Sequence, residues 1–204
     1  RSTLFPYTTL FRSRDTKKLD EIGKLELPIE MIAPSHGAIW RDNPLQIVEN
    51  YAKWAQAYQE DQITVAYDTM WEGTAKLAHE IAAEIHRQSP DTVVKAFNIA
   101  KADKNEIMTE VFKSKAIAVG SPTVSNSILS SVAGWLVFLS QLKFKKKKAA
   151  AFGCYGWSGE SVKILQERLK NAGFEVTDES VKSLWNPESE DIALIPELVK
   201  GLIG

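Results

Sequence analysis

Residues 62–74 read Gln62-Ile63-Thr64-Val65-Ala66-Tyr67-Asp68-Thr69-Met70-Trp71-Glu72-Gly73-Thr74, and this stretch decides the fold. Gln62 to Tyr67 has the apolar, β-branched character of a buried strand. A short turn follows, and from Gly73 to about Arg87 the apolar spacing becomes helical. The same unit recurs along the chain. Thr92–Asn98 reads as a strand, and Asp103 caps a helix to about Lys113. Lys115–Gly120 is a third strand, followed by a helix from about Ser127 to Leu142. Ala149–Gly153 is a fourth, with a helix from about Gly159 to Asn171 that Gly173 ends. Phe174-Glu175-Val176 opens a fifth strand reaching about Leu184, and Pro187 precedes a closing helix from Glu188 to Leu202. Strict alternation of strand and helix predicts an α/β protein, a three-layer sandwich with a parallel sheet covered on both faces. Right-handed crossovers favour five strands in the order 2-1-3-4-5, with ligands bound where strands 1 and 3 diverge.

Composition removes several classes of function. The chain of 204 residues carries 25 basic and 26 acidic residues, a formal net charge of -1, which gives no reason to expect a nucleic-acid or membrane-surface partner. A single cysteine, Cys154, excludes an internal disulfide, and with only three histidines (His36, His79, His86) a self-contained Cys/His zinc site is nearly excluded. The longest apolar run, Val132 to Leu139, falls short of the roughly 18 residues a membrane helix needs. No basic-then-apolar secretion signal opens the sequence, so a cytoplasmic setting is expected.

Arg1 to Ser13, RSTLFPYTTLFRS, follows neither helical nor strand periodicity and repeats the triplet Thr-Leu-Phe. It is similar to translated sequencing-adapter sequence. Residues 1–14 are therefore expected to be a non-native tail, with the natural gene continuing upstream.

Three loops at the carboxyl ends of strands 1, 3 and 4 are where function is expected. In the first, Thr69 and Thr74 flank the turn into a helix whose N-terminal amides suit a phosphate monoester; either threonine would also serve as a helix cap. In the second, Gly120-Ser121-Pro122-Thr123-Val124-Ser125-Asn126-Ser127 forms a tight loop that can lie close to a planar ligand, with Asn126 or Ser127 as the alternative helix cap. The third, Gly153-Cys154-Tyr155-Gly156-Trp157-Ser158-Gly159, sets two aromatics among glycines, suited to stacking on a ring system or to folding back on the sheet. Trp71 adds an aromatic at the same end. Together these fit a mononucleotide with a flat, redox-active ring better than a dinucleotide. Strand 1 is followed by neither Gly-x-Gly-x-x-Gly nor a Walker lysine, and Gly120-Ser121 replaces the aspartate that a receiver domain needs at the end of strand 3.

On these residues, 62–203 resemble the flavodoxin-like FMN domain, and more narrowly that of the flavodiiron proteins. Tyr67-Asp68-Thr69-Met70, Tyr155-Gly156-Trp157-Ser158-Gly159 and the upstream Pro34-Ser35-His36-Gly37-Ala38-Ile39-Trp40-Arg41 carry the likeness. Trp40-Arg41-Asp42-Asn43-Pro44 and Tyr58-Gln59-Glu60-Asp61 point to the nitric oxide reductase (flavorubredoxin) branch. The resemblance implies FMN contacts from Thr69, Met70, Trp71, Glu72, Gly73 and Thr74, from Pro122, Thr123, Val124, Ser125 and Asn126, and from Tyr155, Gly156, Trp157, Ser158 and Gly159. Glu72 departs from the family, which usually places glycine there; its carboxylate is expected to point away from the phosphate.

The same resemblance implies that residues 15–58 are the end of a metallo-β-lactamase-like di-iron domain, with 59–204 the FMN domain. His36 matches the last iron-binding histidine, and one histidine cannot hold two irons. The implied role is electron transfer from a rubredoxin-like donor to a di-iron site largely missing from this chain, so the fragment alone would not reduce nitric oxide or dioxygen. A homo-oligomer is implied for the full-length protein. A free-standing flavodoxin-type carrier and a module without cofactor are the alternatives. The run Lys145 to Lys148 reads as a solvated strand entrance or as a docking patch for an acidic donor.

Overall fold

The structure, a computed structural model, describes residues 28–34, 39–55 and 58–204, together with Lys18, Glu21, Gly23 and Lys24. The chain divides into two compact units, residues 1–58 and 59–204. In the first, Ile32 and Trp40 form an antiparallel bridge through backbone bonds of 3.0 and 2.9 Å, and helix α1 spans Leu45–Ala55. His36 lies outside the described residues, as does the stretch 1–14.

The second unit is an open sheet between two helical layers. Its strands are β1 (Glu60–Tyr67), β2 (Val93–Asn98), β3 (Ser114–Gly120), β4 (Lys148–Tyr155), β5 (Glu175–Val176) and β6 (Val181–Leu184). All pair in parallel, in the order β2-β1-β3-β4-β5, with β6 also on β4. Period-two alternation explains the two faces. Ile63, Val65 and Tyr67 point to the face covered by α2 (Gly73–Gln88) and α7 (Ile195–Ile203), where Leu77, Ile81, Ile85, Leu198 and Leu202 are fully or almost fully buried. The alternate side chains meet α3 (Lys104–Lys113), α4 (Ser130–Ser140) and α5 (Ser161–Asn171) through Met108, Val111, Trp135, Leu139, Leu165 and Leu169. Both faces being apolar is what the near-continuous hydrophobic strands require.

Most of the expected elements are found; three of them differ, and so does the reading of the lysine run. The fifth strand is two short ones, because Thr177 to Ser180 is polar and the Thr177 hydroxyl donates to the Glu179 carbonyl (3.1 Å) in a local turn. The closing helix is split into α6 (Ser189–Ile192) and α7, since Pro196, in the first turn of α7, cannot donate an amide to a continuous helix. Helix α4 begins at Ser130 rather than Ser127. Val124 and Ser127 bridge across a tight turn with positive φ at Ser125 (47°) and Asn126 (57°), so neither Asn126 nor Ser127 caps it. Finally, the lysine run is not uniformly solvated. Lys147 is buried, its ammonium donating to the carbonyls of Phe112 (2.9 Å) and Ser114.

Candidate functional site: a tryptophan-rimmed cleft at the carboxyl edge of the sheet

The cleft forms where β1 and β3 diverge. Tyr67 is the last residue of β1, in register with Asn98 on one side and Gly120 on the other, and the chain leaves the sheet there in opposite directions. Asp68 fixes the first loop. Its carboxylate accepts from its neighbour's amide, Thr69 N (2.8 Å), and from the Ser131 hydroxyl of α4. A cavity of about 310 Å³ results, within the size range of small-molecule sites.

Ten of the sequence-predicted residues line it: Thr69, Met70, Trp71, Gly73, Thr74, Pro122, Thr123, Tyr155, Gly156 and Trp157. Glu72, Val124, Ser125, Asn126, Ser158 and Gly159 are not in its wall. Glu72 is exposed and left-handed, with φ 62°; Ser125 and Asn126 sit at the exposed tip of their turn. The Ser158 hydroxyl donates to the Glu160 carboxylate at 2.8 Å. Three further residues join the lining: Cys154, which the strand carries into the wall because β4 runs on to Tyr155, and Trp185 with Asn186. Trp185 follows the last strand directly, and that position was the available signal. A reading confined to the loops of strands 1, 3 and 4 passes over it.

The polar end of the cleft gathers hydrogen-bond donors at a helix start. Helix α2 begins at Gly73, no acidic residue occupies its first turn, and Glu72 makes no side-chain cap. Neither threonine caps it either. The hydroxyls of Thr69 and Thr74 are buried and without a hydrogen-bond partner, although Thr74 as a residue is almost fully enclosed. Two orphaned hydroxyls, free first-turn amides and the positive end of a helix dipole form a donor set that suits a phosphate. A Cβ on Gly73 would stand 2.8 Å from the Trp185 carbonyl, so only glycine lets these two segments close together.

The other end is aromatic. Trp71 and Trp157 are 83% and 87% exposed, and Trp185 is 57% exposed. Trp157 and Trp185 meet edge to face, with centroids 5.1 Å apart and planes at 70°. The Lys182 ammonium lies 5.1 Å from the Tyr155 ring centre. Tyr67 donates or accepts at His79 Nε2 (3.2 Å), and burial, aided by Glu72 and Asp68, pushes its hydroxyl pKa upward. Burial also pushes the Cys154 thiol to about 11; the adjacent Thr74 hydroxyl offsets part of this and the Asp191 carboxylate adds to it. The Thr74–Cys154 approach falls outside hydrogen-bond geometry, so the Thr74 oxygen stays available to a ligand. Cys154 is therefore a neutral thiol and no nucleophile at neutral pH.

The Flavodoxin family model matches residues 65–194. The chain belongs to the flavodoxin family. It is 48% identical over 182 residues to the anaerobic nitric oxide reductase flavorubredoxin of Vibrio vulnificus, covering 89% of this chain and 37% of that protein. To the flavorubredoxin of Escherichia coli O1:K1 it is 47% identical over 189 residues, 93% of this chain and 39% of that protein. The chain thus spans under two-fifths of these relatives' length. Among solved structures, rubredoxin oxygen:oxidoreductase from Desulfovibrio gigas superposes with a TM-score of 0.87 at 31% identity, over 95% of this chain and 48% of that one. The flavodiiron protein of Giardia intestinalis gives 0.84 at 25%, over 95% and 47%. An archaeal flavodoxin gives 0.62 at 26%, over 70% of this chain and 96% of that one.

Among the described residues no group of three His, Cys, Asp or Glu side chains is placed to hold a metal ion, and no helix is long and apolar enough to cross a membrane. The lysine run lies at the amino end of β4 and the cleft at its carboxyl end, on the order of 25 Å apart for an eight-residue strand.

Proposed function

We propose that residues 59–204 bind FMN in this cleft and serve as the electron-transfer domain of a flavodiiron nitric oxide or dioxygen reductase. The observation that carries the reading is the pair of buried, unpartnered hydroxyls, Thr69 and Thr74, at the amino end of α2. Buried polar groups without partners are costly, and a phosphate oxygen would satisfy both while lying on the helix dipole. Thr69, Gly73 and Thr74 would hold the phosphate. Tyr155 and Trp157 would lie against or beside the ring, with Met70 and Trp71 across the cleft, excluding water from it. When bound, the flavin supplies a centre that takes up and releases electrons singly or in pairs.

In the longer protein, electrons would enter from a rubredoxin-type donor and leave to a di-iron centre, with residues 15–58 the end of the domain that holds it and His36 its last ligand. Oligomerisation would set one subunit's flavin against another's iron, and a cytoplasmic setting suits such an enzyme. The alignments with the flavorubredoxins exceed the length of residues 59–204 and so run into the preceding unit, which favours this reading. A free-standing carrier is the second reading, supported by the archaeal flavodoxin matched over almost its whole length.

The test is a visible absorption spectrum of the purified chain before and after adding FMN. A bound-flavin spectrum is expected, and the pair Thr74→Ala with Trp157→Ala should weaken binding at least tenfold, the loss of one charged hydrogen bond and one stacked ring. A colourless chain that ignores added FMN overturns the cofactor reading; unchanged affinity in the double variant overturns the site.

A further inference from the structure

We propose that Trp185 is a positioning residue: standing outside the three binding loops, it braces Trp157 and so fixes the aromatic wall against which the flavin ring lies. The inference rests on the flavin reading above and concerns a different residue.

Trp157 has little of its own to hold it. It sits between Gly156 and the Ser158–Gly159 pair, is 87% exposed, and among the described residues its ring contact is with Trp185. A tryptophan so placed would sample several orientations, and a cofactor binding to it would have to order it first.

The backbone of Trp185 is bonded to β4, and the chain on either side of it is tied down as well. Its amide donates to the Tyr155 carbonyl (2.8 Å), extending the β4–β6 pairing by one residue. Just beyond it, Lys76 of α2 donates to the Pro187 carbonyl at 2.8 Å. Asp191 then accepts from the Ser183 hydroxyl (2.7 Å) and from the Glu188 amide (3.0 Å), clamping the connection from both ends.

The local sequence is shaped around that ring. Trp185 has φ 58°, a conformation that a bulky residue adopts at a cost and that asparagine or glycine would adopt more readily. A Cβ on Gly156 would come within 3.0 Å of the Trp185 ring, so glycine there makes room for the indole. A strained tryptophan facing a glycine and meeting a second tryptophan edge to face is an arrangement that the sheet itself does not need. It delivers one thing, a fixed plane for Trp157.

The experiment separates the ring from the backbone. Trp185→Asn keeps the left-handed turn and removes the indole, while Trp185→Phe keeps an edge-to-face partner. In the chain without cofactor, the exciton couplet of paired indoles in the far-ultraviolet circular dichroism should vanish in Trp185→Asn and in Trp157→Ala. On titration with FMN, Trp185→Asn should raise Kd about fivefold, the worth of one aromatic pair, and should relieve part of the quenching of flavin fluorescence. Trp185→Phe should stay within about twofold of wild type. In a Trp157→Ala background, Trp185→Asn should change Kd no further. An equal loss in both backgrounds would mean that Trp185 acts on the ligand by itself and would overturn the brace, as would an unchanged Kd in Trp185→Asn. A wild-type chain that shows the couplet yet takes up no FMN overturns the flavin reading instead, and the brace would then have no ligand to serve.

Discussion

Glu72 and Cys154 illustrate how single residues tune the cleft. Glu72 occupies a left-handed backbone position, which glycine adopts more readily, and it directly precedes the first residue of α2 at the polar end of the cleft. Glu72→Gly should relieve about 1 kcal/mol of backbone strain and remove a negative charge from beside the first turn of α2, where the proposed phosphate would sit. A several-fold tighter FMN Kd and a higher denaturation midpoint are expected, read by flavin titration and urea unfolding; a weaker Kd would mean that the carboxylate assists binding. Cys154 responds to pH. Its folded-state pKa is raised to about 11 from the ordinary 9.0, chiefly by burial. Below about pH 9 the thiol is protonated in both states and its contribution is full. As the pH rises toward about 11 the unfolded chain gives up the proton while the folded chain keeps it, so stability falls through that window. Urea midpoints across it should fall less steeply in Cys154→Ala, with Tyr67, also raised, supplying the remaining slope.

At the scale of elements, the loops matter more than the helices they open. Helix α4 has no capping side chain at its own start, Leu129. Ser121, eight residues earlier and fully buried at the end of β3, accepts the Leu129 amide at 3.0 Å and donates to the Pro122 carbonyl at 2.9 Å. It thereby closes the whole second loop. Ser121→Ala leaves that amide without a partner and should cost about 1–2 kcal/mol, measured as a lower urea midpoint with an unchanged slope. Thr123 does the same for α5, its hydroxyl donating to Ser161 Oγ (3.0 Å) and accepting from Ser161 N (3.1 Å). Its hydroxyl ties the second loop to α5, unlike the unpartnered hydroxyls of Thr69 and Thr74. Sequence spacing could not tell these threonines apart, because a hydroxyl beside a helix start serves equally as a cap or as a ligand contact.

For the whole molecule, residues 59–204 form a compact unit with both faces of the sheet covered. Expressed without residues 1–58, they should unfold in one cooperative transition and bind FMN with the affinity of the longer chain; two transitions, or lost binding, would count against an autonomous domain. The fold was legible in the sequence because strands buried on both faces must be apolar and crossover helices must be amphipathic, which leaves a periodic record in the chain. The three loops at the carboxyl edge were legible for the same reason, since strand ends locate them. What the sequence alone determined is therefore the sheet order, the edge at which the cleft forms, and the hydroxyl and aromatic residues that line it. The tertiary structure decided which hydroxyls are left unpartnered, that Glu72 stays out of the cavity wall, that Lys147 is buried, and that Trp185 reaches Trp157 from a different strand. Those outcomes depend on contacts between segments distant along the chain, such as Trp185 with Trp157 and Lys147 with Phe112. No local periodicity records them, because the packing that creates them exists only once the sheet has formed.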